Sequence, residues 1–170
     1  VGYTNTGKST LMNQLTGADV YIADQLFATL DPTTRKVSLG SGRYVLMSDT
    51  VGFIQNLPHQ LVAAFRSTLE EVVQADFLLI VTDASDHQRF QRQQTVTDVL
   101  TKIGAGNIPR MTVLNKIDLV EPGTPLRLSL KNSLSVSAKT GEGIAGLIHE
   151  LKKRLSVDHV HVEFQLPYEE

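Results

Sequence analysis

The first residues that could carry chemistry run from Gly2 to Ser9, which fit the phosphate-binding pattern G-x-x-x-x-G-K-[ST] at every fixed position. A polyphosphate needs many donors that converge on a small volume, and the two glycines let the backbone aim successive N–H groups inward. Lys8 supplies a point charge for the outer phosphates, and Ser9 offers a hydroxyl to Mg²⁺ at the positive end of a helix. The alternative is a chance glycine-rich turn before a helix. The residues predicted to surround the phosphates are Gly2, Tyr3, Thr4, Asn5, Thr6, Gly7, Lys8, Ser9 and Thr10.

A second group of residues lies at the end of the predicted strand at 44–49. At such a strand end Asp49 can hold the water shell of Mg²⁺, and the N–H of Gly52 can reach the γ-phosphate. A tetrapeptide of this kind is common, so it counts only in combination with the other motifs. The residues of this group are Asp49, Thr50, Val51 and Gly52.

The sharper motif is the third one, which follows the predicted strand at 110–115. The Asp118 carboxylate can accept hydrogen bonds from both N1–H and the exocyclic amino group of guanine, whereas adenine offers no such pair of donors on that edge. The stem of Lys116 can lie along the base, and Asn115 can tie this segment to the phosphate loop. A backbone N–H after the last strand could meet guanine O6. The residues involved are Asn115, Lys116, Ile117, Asp118, Ser137, Ala138 and Lys139.

Each motif alone could be a polar loop at a strand end. Their joint occurrence, in this order and always after a predicted strand, favours a guanine nucleotide as the ligand.

Composition limits the class of protein. The chain has 170 residues, enough for one domain with a substantial core, and 41% of them are hydrophobic. With a net charge of −2, the domain as a whole lacks the excess of positive charge that is typical of nucleic-acid-binding domains. The chain has no cysteine, which suits a reducing cytosol, and its longest apolar run, at 77–81, is too short to span a bilayer.

Hydrophobic periodicity predicts alternating strands and helices. Helices are expected at 8–16, 58–74, 88–103 and 144–155, and strands at 35–39, 44–49, 77–81, 110–115 and 134–137. The first two strands form a hairpin, and residues 18–34 read as a loop. This alternation indicates an α/β fold: a three-layer P-loop domain with a mainly parallel sheet.

The two ends of the chain predict its domain organisation. Val1 stands directly before the phosphate loop, where P-loop folds have a buried strand, so we expect the first strand to be truncated and the chain to be a fragment. Residues 1–156 are expected to form the nucleotide-binding domain. Residues 160–166 alternate strictly between apolar and polar, which predicts that 157–170 begin a C-terminal strand or small domain.

The motifs resemble those of the translation-factor-related GTPases, and the residues between them resemble one family, HflX. The resemblance rests on 2–10, 18–21, 24–33, 49–54 and 57–65, and it covers nearly the whole chain. The family usually has alanine where this chain has Thr6. The resemblance implies a Ras-like GTP-binding domain that hydrolyses GTP, and a full-length protein that binds the large ribosomal subunit and can split or rescue ribosomes. We expect a cytoplasmic monomer, with peripheral membrane association left open.

The resemblance also bears on a choice that the residues leave open. Thr29, Thr33 and Thr34 all lie in the predicted loop and could complete the Mg²⁺ shell, and the family pattern puts this role on Thr29. Such a loop should order around γ-phosphate and Mg²⁺ and relax after hydrolysis. The loop residues expected at the nucleotide are Phe27, Ala28, Thr29, Leu30 and Asp31. The expected metal ligands are Ser9, Thr29 and Asp49, the last through water. The expected catalytic residues are Lys8, Thr29 and Gly52.

Phe53 follows Gly52 where many GTPases place a glutamine that orients the attacking water. A phenyl ring cannot hydrogen-bond a water, so intrinsic hydrolysis should be slow. Asn5 is a candidate for holding K⁺ beside the phosphates, although it could equally fix the loop through local hydrogen bonds. His59 could position water, but a histidine at a helix start needs no such role.

The residues alone are compatible with two other functions. An ATP-using P-loop enzyme would share the phosphate loop but has no use for Asp118. A switch could instead act on another protein or on a membrane. Here the sequence offers only the basic cluster at 152–154, which fits an ordinary helix end.

Overall fold

The computed structural model describes residues 1–17, 33–40, 42–50, 52, 66–121 and 133–155, with the backbone alone at 66–68. Its helices are α1 (Lys8–Thr16), α2 (Arg66–Val73), α3 (Arg89–Lys102) and α4 (Ile144–Arg154), with a short 3₁₀ helix at Ile117–Leu119. Its strands are β1 (Thr33–Gly40), β2 (Arg43–Asp49), β3 (Leu78–Asp83), β4 (Arg110–Asn115) and β5 (Ser133–Ser135).

The central element is a parallel sheet of strand order β3-β4-β5. Strands β3 and β4 pair along their full length, from Leu78 opposite Arg110 to Asp83 opposite Asn115. The start of the phosphate loop joins the same sheet, because Gly2 forms a parallel bridge with Val81. The segments that leave these strands therefore emerge at one edge of the sheet.

Two hydrophobic clusters lie on either side of this sheet, as the three-layer prediction requires. Leu11 of α1 and Leu147 of α4 pack with Val113 in one cluster. Leu100 of α3 and Ile80 of β3 belong to the other, together with Val72 of α2. Continuous burial along β3 and β4 is typical of parallel strands covered on both faces. The predicted α/β fold is confirmed.

An antiparallel hairpin, β1 with β2, carries Asp49 to the site. Its register runs from Thr33 opposite Asp49 to Gly40 opposite Arg43, with an irregularity between Ser38 and Gly40. Val37 is fully buried in the same cluster as α1 and α4. This packing fixes the end of β2 beside the start of α1.

Several predicted boundaries need correction. The loop at 18–34 was extended too far, because Thr33 and Thr34 already pair with β2. The strand predicted at 77–81 starts at Leu78 and continues to Asp83, because its ladder with β4 extends that far. The strand predicted at 134–137 lies at Ser133–Ser135. The helices predicted at 8–16, 88–103 and 144–155 agree to within one residue at either end.

Other predictions fall on residues outside the described ranges. These are the switch loop through residue 32, the start of the helix at 58–74, and the alternating stretch at 160–166. Among the helices that the structure does describe, none has the length and apolar character needed to cross a bilayer.

Candidate guanine nucleotide site

The phosphate loop forms a tight turn at the start of α1. Asn5 and Gly7 both adopt the left-handed conformation, with φ of 58° and 81°. Backbones of this kind make a concave nest of N–H groups that suits an anion. The Lys8 ammonium folds back over the loop and donates to the Tyr3 carbonyl at 3.0 Å. The predicted residues from Gly2 to Thr10 are therefore brought together in this loop and the first turn of α1.

Asn115 connects this loop with the other motifs. Its side-chain amide donates to the Thr6 carbonyl at 2.9 Å, and its amide oxygen accepts from the Ala138 N–H at 2.9 Å. Only 2% of the Asn115 surface is exposed. One side chain at the end of β4 thus joins the phosphate loop to the turn that follows β5.

Gly7 is required by this arrangement as well as by its backbone angle. A Cβ at Gly7 would collide with the Asn115 side-chain nitrogen. An L side chain at a φ of 81° would also be strained. The loop can therefore approach Asn115 closely only because the residue before Lys8 has no side chain.

The Asp118 carboxylate is held by a serine from a different part of the chain. The Ser137 hydroxyl donates to Asp118 Oδ1 at 2.6 Å, and it accepts from the Thr140 N–H at 3.1 Å. Ser137 is fully buried, whereas Asp118 is exposed. A ligand can therefore reach a carboxylate that is already oriented. Ile117 lies beside it in the 3₁₀ helix, and the Lys139 side chain is exposed.

Two candidate metal ligands are in direct contact. The Ser9 hydroxyl donates to Asp49 Oδ2 at 2.6 Å across 40 residues of sequence. Hydroxyl and carboxylate oxygens are the hard ligands that Mg²⁺ prefers, so this pair fits that ion. Thr29, the third expected ligand, lies outside the described residues. Within the described ranges, no group of three or more His, Cys, Asp or Glu side chains is placed to hold a metal ion. The expected Mg²⁺ site would not form such a group, because Asp49 is its only ligand of these residue types.

Gly52 packs against the phosphate loop near Lys8. A Cβ at this position would lie 2.7 Å from the Thr4 Cα and 3.0 Å from the Lys8 Nζ. Glycine is therefore the residue that lets this segment come so close. Thr50 is buried beside Asp49. Val51, Phe53, His59 and the stretch at 27–31 lie outside the described residues.

Burial lowers the pKa of Lys8 from 10.5 to about 8, and the opposing charge of Asp49 offsets only part of this effect. Near pH 8 a substantial fraction of Lys8 is therefore neutral. A bound phosphate would restore the charge, because an anion stabilises the ammonium form.

Asp83, which none of the sequence motifs contains, lies at the end of β3 and forms an ion pair with Lys116 at 2.8 Å. Its position close to the end of an apolar run was a usable signal, because the recognised motifs also lie at strand ends. Arg92 of α3 also lies outside the motifs, and its guanidinium is 4.9 Å from the centre of the Tyr3 ring.

Comparisons with known proteins agree with this geometry. The family described as 50S ribosome-binding GTPase matches residues 1–116. The chain is 49% identical to GTPase HflX of Chlamydia pneumoniae over 173 residues, which cover 100% of this chain and 37% of that protein. It is 47% identical to GTPase HflX of Escherichia coli (strain K12) over 174 residues, which cover 100% of this chain and 41% of that protein. The chain thus spans about two fifths of the length of these relatives.

Solved structures show the same fold. A GTP-binding protein from the archaeon Sulfolobus solfataricus in complex with GDP has a TM-score of 0.72 and 28% identity, covering 91% of this chain and 51% of that one. Era in complex with MgGDPNP and part of 16S ribosomal RNA has a TM-score of 0.69 and 25% identity, covering 98% of this chain and 57% of that one.

The pKa of Lys8 leads to a prediction about pH. Because bound phosphate favours the ammonium form, binding should take up a proton once the pH exceeds about 8. We expect the affinity for GDP to fall as the pH rises above that value, by at most about tenfold per pH unit. Isothermal titration calorimetry in two buffers of different ionisation enthalpy would measure the proton uptake.

The matched control is Lys8→Arg, which stays charged throughout this range. Its GDP affinity should be nearly independent of pH. An equal pH dependence in both proteins would show that a group other than Lys8 titrates.

Proposed function

Since this chain belongs to the HflX family of GTPases, we propose that it is a switch domain that binds GTP and hydrolyses it to GDP and phosphate. One observation carries the proposal. The segment that would read the base touches the loop that would hold the phosphates, through Asn115 to Thr6 at 2.9 Å and Lys116 to Asn5 at 2.7 Å. A single nucleotide can therefore span both.

At the phosphate end, the loop amides and Lys8 bind the anion and neutralise charge that develops during transfer. Ser9 and Thr29 would hold Mg²⁺ directly and Asp49 through water, and the ion would draw electron density from the β- and γ-phosphates. The Gly52 N–H would contact the γ-phosphate. Gly52 packs on Thr4 and Lys8, so its segment lies against the loop that would hold that phosphate, and loss of the phosphate would remove one contact between the two.

At the base end, Asp118 selects guanine. Its carboxylate accepts from the two donors on the edge of the base, and Ser137 orients it for that purpose. An adenine at this position would leave a charged acceptor without a partner. That mismatch disfavours an ATP-using enzyme.

The first test is a change of base preference. In Asp118→Asn the side-chain amide can donate to the O2 carbonyl of xanthine but leaves one guanine donor unpaired. We expect GDP to bind roughly 100-fold more weakly and XDP to bind more tightly than in the wild type. Competition against a fluorescent GDP analogue by GDP, XDP and ADP would measure both effects.

Asp98→Asn is the control, because Asp98 is an exposed carboxylate on α3 that pairs with Gln94. It should bind all three nucleotides as the wild type does. A wild type that prefers ADP, or an Asp118→Asn variant with unchanged preference, would refute the proposed function.

The second test concerns K⁺. Asn5 presents an exposed side chain from a left-handed position in the phosphate loop, and we propose that its amide oxygen helps to hold K⁺ beside the phosphates. That cation would supply positive charge to a site that has Phe53 in place of a water-orienting glutamine. We expect GTP turnover to be several-fold faster in K⁺ than in Na⁺ at equal ionic strength, roughly a tenfold effect at most.

The variant Asn5→Gly keeps the left-handed backbone without strain but removes the amide. It should turn over GTP at the same rate in both salts. Equal wild-type rates in K⁺ and Na⁺ would exclude the cation role.

We further propose that the full-length protein binds the large ribosomal subunit in its GTP form and splits or rescues ribosomes. The description of the matching family and the HflX relatives support this partner. Full-length protein should co-sediment with large subunits in the presence of a non-hydrolysable GTP analogue, and much less with GDP. It should also shift whole ribosomes towards free subunits in a sucrose gradient.

A Ser9→Ala variant, which loses a proposed Mg²⁺ ligand, is the control and should lose the nucleotide dependence. Absence of co-sedimentation with either nucleotide would favour a switch that acts on a different partner.

A further inference from the structure

Asp83 is a charged residue at the edge of the nucleotide site for which the proposed mechanism has no role. It ends β3 directly opposite Asn115, the last residue of β4. Asp83 Oδ2 lies 2.8 Å from the Lys116 Nζ, and the same ammonium donates to the Asn5 carbonyl at 2.7 Å. The lysine therefore bridges a carboxylate on the sheet and a carbonyl of the phosphate loop.

The Asp83 carboxylate is held in one orientation. Its Oδ1 accepts from the Ser85 N–H at 2.9 Å and from the Ser85 hydroxyl at 2.6 Å, which leaves Oδ2 for Lys116. Burial alone would raise the pKa of Asp83, but the hydrogen bonds from Lys116 and Ser85 and the charge of Lys116 outweigh burial and lower it. The group is therefore ionised at neutral pH.

The ion pair is also partly shielded from water. The side chains of Asp83 and Lys116 are 15% and 25% exposed. A pair in such a site is weakened by salt much less than a surface pair. It can therefore hold the lysine in place under cellular conditions.

The Lys116 stem needs such support because of where it runs. Its backbone is left-handed, with a φ of 66°, and its Cε lies 3.9 Å from the Cβ position of Gly7. The stem thus passes along the phosphate loop, on the route between the loop and Asp118. An unrestrained lysine would lose side-chain entropy when a ligand ordered it.

We infer that Asp83 is a positioning residue for the nucleotide: it fixes Lys116 so that the stem is already in place along the base and the Asn5 carbonyl is already held. The inference rests on the proposed function, because it presumes that a purine nucleotide occupies this site. Asp83 itself need not touch the ligand. Its effect reaches the nucleotide through Lys116.

The principal test is Asp83→Asn, which removes the charge but keeps the size of the side chain. We expect a fluorescent GDP analogue to dissociate about tenfold faster from this variant in stopped-flow measurements on the full-length protein. The control is Glu150→Gln, which removes a carboxylate from an ion pair with Arg154 on α4. It should leave the dissociation rate unchanged.

A double-mutant cycle tests whether Asp83 acts through the lysine. Lys116→Met keeps an apolar stem and removes the ammonium. In that background Asp83→Asn should change the GDP dissociation rate less than twofold, because the partner of the carboxylate has already gone. Additive effects would overturn the inference.

A purely structural ion pair would behave differently. It would lower the melting temperature of Asp83→Asn and leave GDP dissociation at the wild-type rate, which would also overturn the inference. If Asp83→Asn does not fold, Ser85→Ala provides a milder change, since it removes one of the bonds that orient the carboxylate. We expect a two- to threefold faster release there, and an unchanged rate would count against the inference.

The wild-type protein separates this inference from the proposed function. Failure of the wild type to prefer GDP over ADP would refute the function itself. A wild type that prefers GDP, combined with an Asp83→Asn variant that releases GDP at the normal rate, would refute the role of Asp83 alone.

Discussion

The arrangement of the site depends on one buried amide, that of Asn115. A carboxamide both donates and accepts hydrogen bonds, so it can bind a backbone carbonyl of one segment and a backbone N–H of another. A carboxylate or an ammonium could bind only one of the two. Here it donates to the phosphate loop and accepts from the turn after β5. Both partners are buried backbone groups, so loss of the amide would leave each without a hydrogen bond. The distance between the phosphate end and the base end of the site is therefore fixed largely by this side chain.

The parallel sheet makes this connection possible. Strands that run in the same direction end at the same edge of the sheet. The phosphate loop, Asp83, Asn115 and the turn after β5 therefore meet there, although Gly2 and Ser137 are 135 positions apart in the sequence. Helices on both faces bury the strands and leave this edge open. The same geometry explains why ligands in open α/β sheets bind beyond the carboxyl ends of the strands.

Much of this could be predicted from the sequence because it depends on local pattern. The helix at Lys8–Thr16 follows from apolar spacing and a terminal glycine, and the strand at Arg110–Asn115 from a short run of mainly apolar residues. The motif residues were recognisable because a phosphate nest and a guanine-binding carboxylate require particular residue types at fixed spacing. The end of β3 was not predictable in the same way, because its last two residues are strand only through pairing with β4. The link from Asp83 to Lys116 likewise joins residues 33 positions apart, and only the folded chain shows it.

Three side chains at the phosphate end of the site already have partners within the protein. Lys8 bonds to a loop carbonyl, and Ser9 bonds to Asp49. A ligand that takes over these groups must replace existing hydrogen bonds, so the net gain per contact is only the difference between the old and the new bond. This exchange suits a switch. A loop whose lysine and serine side chains already have partners can gain or lose a phosphate at a small difference in free energy, whereas a loop with unpaired charges would bind so tightly that release would be slow. The contacts of Asn115 and Lys116 with the loop involve none of these exchanging groups, so the scaffold of the site can stay in place while its phosphate end changes partners.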